Sequence, residues 1–168
     1  MVKVSQEIAE ENRQELATSA DVLSRRHGLE RVGVAQIAKH ANLTTGAVYT
    51  HFGSREQLLA AGIQAGFERM VAWLNTLESG QEYRDQARAN VRLPDGALWC
   101  PAMSHIGSIS TASATEQAEF NKGLNRMLVA MARWPDIGST EHALETIAEL
   151  TGEVLFADLP TTQRGTER

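Results

Sequence analysis

Nine consecutive residues carry the densest chemistry of this chain: Thr44-Thr45-Gly46-Ala47-Val48-Tyr49-Thr50-His51-Phe52. Small side chains, hydroxyls and one phenol in this order suit a short helix that reads a DNA groove. Such a helix must be exposed at its N-terminus and held rigidly by its neighbours. Val48 and Phe52, at i and i+4, share a face and point inward. Thr45, Gly46, Ala47, Tyr49 and Thr50 are left for the outside. Thr45 can donate or accept at a base edge, and Ala47 suits a thymine methyl. Tyr49 can bring its hydroxyl to a phosphate. Thr44, Ser54 and Arg55 sit at helix N-termini, which favour anions. With His51, a surface or phosphate-facing histidine, the expected DNA-binding set is Thr44, Thr45, Gly46, Ala47, Tyr49, Thr50, His51 and Arg55.

Other reactive side chains form weaker patterns. Cys100 is the single cysteine, so no internal disulfide framework and no multi-cysteine zinc site can exist. It precedes Pro101, a residue that can start a helix, and a helix N-terminus stabilises a thiolate. The competing reading is a small, inert, buried thiol. The five histidines show no metal-binding spacing. Ser104-His105 lacks any nucleophile-elbow context. No catalytic group, metal or cofactor is therefore expected. Trp73, Met103 and Met127 are the candidates for lining a pocket for a small apolar or aromatic effector.

The elements that position these groups read as helices throughout, with no strand signal. A first helix is expected over about 5–27, with Leu16, Ala20 and Leu23 as its apolar stripe and Gly28 as its stop. A short second helix, about 34–41, follows Gly33. Asn42 sits where the chain must turn, and asparagine tolerates positive φ. Thr44 caps the third helix, where Leu43 and Val48 form a hydrophobic staple; the helix ends at Phe52 before Gly53. Ser54-x-x-Gln57 opens a fourth helix, expected to run to about Leu77. Two short helices joined by a tight turn, with a longer helix on either side, make a helix-turn-helix.

Beyond it, residues 81–92 are polar, anchored by Tyr83 and Val91, and Pro94-Asp95-Gly96 reads as a turn. A broken helical stretch follows Pro101. Ser113-x-x-Glu116 is a capping box for an amphipathic helix carrying Phe120, Leu124, Met127, Leu128 and Met131. A last helix spans about 141–158, and residues 161–168 read as a frayed tail.

Charge is uneven. The chain has 168 residues and a formal net charge of −5, yet residues 22–56 sum to +3 and the remainder to −8. A small basic unit on an acidic body fits local rather than blanket nucleic-acid contact. No apolar run approaches the length of a membrane span, and no apolar signal core opens the chain, so a cytoplasmic location is expected.

The segment Glu11 to Leu59 resembles the TetR-type (tetracycline-repressor-like) regulators. The resemblance rests on Glu11-Asn12-Arg13, Leu16, Ala20, Leu23, Gly28, Val32-Gly33-Val34-Ala35, Ile37-Ala38, Ala41, Leu43-Thr44, Gly46, Tyr49, His51-Phe52, Ser54, Glu56 and Leu58. Asn42 replaces the usual turn glycine, and Arg55 the usual lysine. Tyr83-Arg84-Asp85, Cys100-Pro101 and Phe120-Asn121-Lys122-Gly123-Leu124 resemble landmarks of one branch of that family. A further amphipathic segment normally precedes the Arg-Asp pair there, whereas only about five residues separate Leu77 from Tyr83 here.

The resemblance implies an all-α homodimer. Residues 1–54 would form a three-helix DNA-binding domain with a helix-turn-helix, and residues 55–168 a helical ligand-binding and dimerisation domain. The implied partners are a double-stranded DNA operator, a second copy of the chain and a small effector that releases a repressor. Two other readings stand beside it. One is a regulator that senses oxidants or electrophiles through Cys100. The other is a small helical ligand-binding protein that does not bind DNA.

Overall fold

The computed structural model describes residues 2–90 and 99–156. It is helical, and no strand occurs among the described residues. Helix α1 spans Val2–His27 and buries Leu16, Ala20 and Leu23. Gly28, at φ 89°, ends it, its N–H bonding the carbonyl of Ser24 at 2.9 Å. A single 3-10 turn, Leu29–Arg31, leads to α2, Val34–His40. The start of α2 is fixed by the Gln36 side chain, whose Oε1 accepts the N–H of Gly33 at 2.8 Å. Asn42 makes the turn at φ 54°, a left-handed conformation that asparagine tolerates better than most residues. Helix α3, Thr45–Phe52, follows and Gly53 stops it.

Helix α4, Arg55–Leu74, is the axis of the molecule, packed against α1 on one side and α7 on the other. Its buried face carries Leu58, Leu59, Ile63, Phe67, Met70 and Leu74 at helical spacing. Burying each such side chain is worth roughly 1.5–3 kcal/mol. Glycines set the distances between these helices. A Cβ on Gly62 would come within 2.9 Å of the Ala20 Cβ, and one on Gly123 of α7 within 2.3 Å of the Phe67 ring. Any larger side chain would push α1 or α7 away from α4.

The sequence predicts α4 to about Leu77, but it stops at Leu74. The Thr76 hydroxyl donates to the Trp73 carbonyl at 2.7 Å and closes the end. The polar stretch that follows is helix α5, Gly80–Ala89. Two features nucleate it. The Ser79 hydroxyl accepts the N–H of Glu82 at 3.1 Å, and Tyr83 and Ala87 bury one face at i and i+4. Asp136 then accepts the N–H groups of Gly80 and Gln81, both at 2.9 Å. The Gly80 N–H chiefly, and the nearby Arg84 guanidinium, hold the Asp136 carboxyl below the usual carboxylate range.

Helix α6 is short, Pro101–His105, and a 3-10 turn at Ile109–Thr111 follows it. The expected capping box opens α7, Ala114–Met131. Ser113 accepts the N–H of Glu116, and Glu116 Oε2 accepts that of Ser113 at 2.7 Å. Helix α8 spans Thr140–Phe156. The Pro94-Asp95-Gly96 turn, Val91 and the 161–168 tail lie outside the described residues.

Candidate nucleic-acid interface

Three helices present the candidate reading surface. Helix α1 supports α2 and α3 through Leu16, Ala20 and Leu23, which meet Ile37, Ala38 and Val48 in one buried cluster. Val48 is fully buried, so its side chain pins α3 to that base and the opposite face turns to solvent. Thr45, Gly46 and Thr50 are exposed, Ala47 is half-buried, and Tyr49 is 56% exposed. The helix is therefore docked by one apolar residue and open along its leading edge. Had Thr45 and Tyr49 been buried, no groove could reach them.

The Thr44 hydroxyl accepts the Ala47 N–H at 3.2 Å, fixing the first turn. The Thr50 hydroxyl donates to the Gly46 carbonyl at 2.9 Å, leaving its oxygen lone pairs as acceptors. His51 is half-buried beside Phe52, their rings 6.4 Å apart. Phe52 in turn lies 5.2 Å beneath the Arg13 guanidinium of α1. That stack ties the C-terminal end of α3 to α1.

Arg55 has partners within the protein as well. Its guanidinium is committed to the protein itself, donating to the carbonyls of Val32 at 3.0 Å and of Leu29. It also lies 4.0 Å from Glu116 at the start of α7. The position after Ser54 thus ties the headpiece to the helical body, with 32% of the side chain left exposed. Lys39, exposed in the last turn of α2, lies just before the turn into α3 and is a cation that the expected DNA-binding set omits. Its exposure next to the turn is the signal that singles it out.

The three pocket candidates separate. Met127 is fully buried and Met103 nearly so, both packed in the core. Trp73 does line a cavity of about 250 Å³, together with Trp99, Met70, Arg25 and Arg69. Sequence reasoning missed the two arginines. The available signal was Asp21, a carboxylate on the buried side of α1 four residues before Arg25.

Cys100 is fully buried, and burial pushes its thiol above the usual range. The N–H groups of Met103 and Ala102 and the hydroxyl of Tyr83 oppose that shift without reversing it. This is the environment of a protonated, shielded thiol, not of a nucleophile. Among the described residues no three His, Cys, Asp or Glu side chains gather as a metal site. No helix among them is long and apolar enough to cross a membrane.

Residues 16–61 match the family model described as bacterial regulatory proteins, tetR family. The match covers α1 from Leu16, the helix-turn-helix and the first turns of α4. Comparison with curated proteins gives no match. Among solved structures, the fold is similar to that of the reduced form of NemR from E. coli, with a TM-score of 0.71 and 18% sequence identity. The alignment covers 87% of this chain and 86% of that one. At that identity the likeness is one of fold, and it extends through both the headpiece and the helical body. Together these findings give a tetR-family match over residues 16–61 and, for the chain, an all-helical fold similar to that of NemR.

Proposed function

We infer that this TetR-type regulator is a sequence-specific DNA-binding repressor that acts as a homodimer and is released by a small-molecule ligand. The observation that carries the reading is the docking of α3. Val48 is buried, Thr44 caps the helix, and Thr45 and Tyr49 stand exposed beside it. Residues 1–54 are assigned to DNA, and residues 55–168 to the ligand and the partner subunit.

Helices α7 and α8 are the dimerisation elements in this reading. Val129 on α7 is 52% exposed and Leu144 on α8 is 48% exposed. Apolar residues standing out on adjacent helices are suited to a two-fold four-helix interface. Two recognition helices would then enter successive major grooves about 34 Å apart. A ligand that prefers a different spacing lowers operator affinity by shifting the population.

The test is a DNA-shift titration against the DNA upstream of the protein's own gene and against random duplexes, at two salt concentrations. Tight, salt-sensitive binding that is lost in Tyr49→Ala supports the reading. Because Tyr49 is exposed, that variant should keep the parent's thermal stability. Absence of binding to any duplex at low salt overturns it in favour of a helical ligand-binding protein that does not bind DNA.

A further inference from the structure

A second cavity, of about 260 Å³, lies where the headpiece meets the helical body. The 3-10 turn at Leu29–Arg31 and the start of α4 form one wall, and the segment from Ser108 to Glu116 forms the other. Glu116 lines the cavity and is only 3% exposed. One of its oxygens, Oε2, closes the α7 capping box. The other, Oε1, is buried and has no hydrogen-bond partner among the described residues. Arg55 Nη1 stands 4.0 Å away, beyond hydrogen-bond reach, and the rest of that guanidinium is engaged by the carbonyls of Val32 and Leu29. A buried carboxylate oxygen without a donor is costly, so Oε1 calls for a donor that the chain itself does not supply.

The rest of the lining also asks for donors. Glu30 and Glu56, both exposed, stand at the rim. The Ser108 and Thr111 hydroxyls donate to the carbonyls of His105 and Ser108, at 3.4 and 3.0 Å, so they offer oxygen lone pairs to any further partner. Three carboxylates in the lining face one guanidinium. Arg31 lies 3.5 Å from Glu30, but both side chains are more than half exposed and water screens the pair. The lining therefore favours a cation over an anion. Its carboxylates are spread out: among the described residues no three His, Cys, Asp or Glu side chains gather closely enough to hold a metal ion. Positive charge carried at both ends of a short chain matches them better than a point ion.

We propose that this cavity binds a short aliphatic diamine. One ammonium donates to Glu116 Oε1 at the base, and the second meets Glu30 and Glu56 at the rim. An ammonium is a compact charge with three donors, so one head can serve Glu116 Oε1 and a hydroxyl oxygen together. The bound diamine bridges the turn after α1 and the start of α4 to the start of α7. The site does not depend on the DNA-binding reading above.

The test is calorimetric titration of the full chain at about 0.15 M salt, where exposed charges are screened beyond about 8 Å. The probes are diaminobutane, butylamine, butanediol and magnesium chloride. Diaminobutane should bind tightest, butylamine about tenfold more weakly, and butanediol and magnesium without measurable heat. Glu116→Gln keeps the capping box, since glutamine serves at that position, and should weaken both amines by about tenfold or more. The double variant Glu30→Gln, Glu56→Gln leaves Glu116 in place and replaces only exposed side chains. It should bring diaminobutane down to the affinity of butylamine and leave butylamine unchanged, so the proposal stays testable if Glu116→Gln fails to fold. Glu141→Gln, at an exposed acid on α8, should bind diaminobutane as the parent does. Equal heats from butanediol and diaminobutane, magnesium binding as tightly as diaminobutane, or no heat at millimolar diamine overturns the site. So does parental affinity for diaminobutane in Glu116→Gln or in the double variant, or a loss in Glu141→Gln equal to that in the double variant.

Discussion

Arg55 Nη1 lies 4.0 Å from Glu116 Oε1, while the same guanidinium donates to the carbonyls of Leu29 and Val32. One side chain therefore joins the turn after α1, the start of α4 and the start of α7. Glu116 is almost fully buried, and its other oxygen closes the α7 capping box. A buried carboxylate that loses its cation is costly, so the three segments are held in one arrangement. This relationship couples the position of the helix-turn-helix to the helical body.

Replacing Arg55 should therefore act on coupling and stability rather than on a phosphate contact. Arg55→Gln is expected to destabilise the fold by about 1–3 kcal/mol, from unpaired carbonyls and a buried Glu116 without its partner. DNA affinity should fall, yet the slope of log affinity against log salt should match the parent. A residue on a phosphate would instead reduce that slope by about 0.9. Chemical denaturation and shift titrations at several salt concentrations read both quantities. A variant of full stability with a reduced slope would show that Arg55 faces DNA.

How far the sequence discloses this arrangement depends on the range of the interaction. The helix-turn-helix is set by local rules, and each is visible as a residue type: the Thr44 cap, the inward pair Val48 and Phe52, Asn42 at the turn, and Gly53 at the stop. The α7 capping box is legible for the same reason. Arg55 shows the limit. Its partners stand 23 and 26 residues earlier and far along the chain in α7, and no local pattern announces them. The Asp21, Arg25 and Arg69 cluster fails likewise, because Arg69 is 48 residues from Asp21. Met127 and Trp73 look alike as large apolar residues. Only the packing decides that one fills the core and the other faces a cavity.

Gly66 is the narrowest point of the α1–α4 contact. Its missing Cβ would meet Asp21 Oδ1 at 2.2 Å, and that carboxylate is pinned by two arginines and cannot rotate away cheaply. Gly66→Ala should cost about 2–3 kcal/mol or more despite the better helix propensity of alanine. Gly152→Ala, on α8 with nothing within 4 Å of the added methyl, is the control and should be neutral or slightly stabilising. Thermal melts of the two variants side by side check this, and equal melting temperatures would refute the close contact.

Cys100 should behave as a structural thiol. It is fully buried, and burial raises its pKa against the pull of nearby N–H groups and the Tyr83 hydroxyl. In the folded protein its reaction with an aromatic disulfide reagent should be slower than in denaturant by about a hundredfold or more, limited by local opening. Cys100→Ala should leave DNA affinity in the presence of peroxide or quinone equal to that of the parent. Rapid native-state labelling, or a peroxide response that vanishes in the variant, would restore the sensing role.

His105 should dominate the acid limb of the stability curve. It is fully buried, neither ring nitrogen has a hydrogen-bond partner among the described residues, and its ring lies 6.5 Å from that of Phe120. Burial lowers its pKa from 6.5 to about 4; Asp21 opposes that shift and Arg25 reinforces it. The folded state therefore keeps the imidazole neutral where the unfolded chain already binds a proton. Stability from this residue is complete above pH 6.5 and is lost as pH falls from 6.5 through about 4. The loss is about 3 kcal/mol. His105→Leu removes the proton uptake, so denaturation midpoints of the variant should change less between those pH values than those of the parent. Identical slopes would mean that the folded and unfolded chains bind the His105 proton alike, and that burial does not lower its pKa.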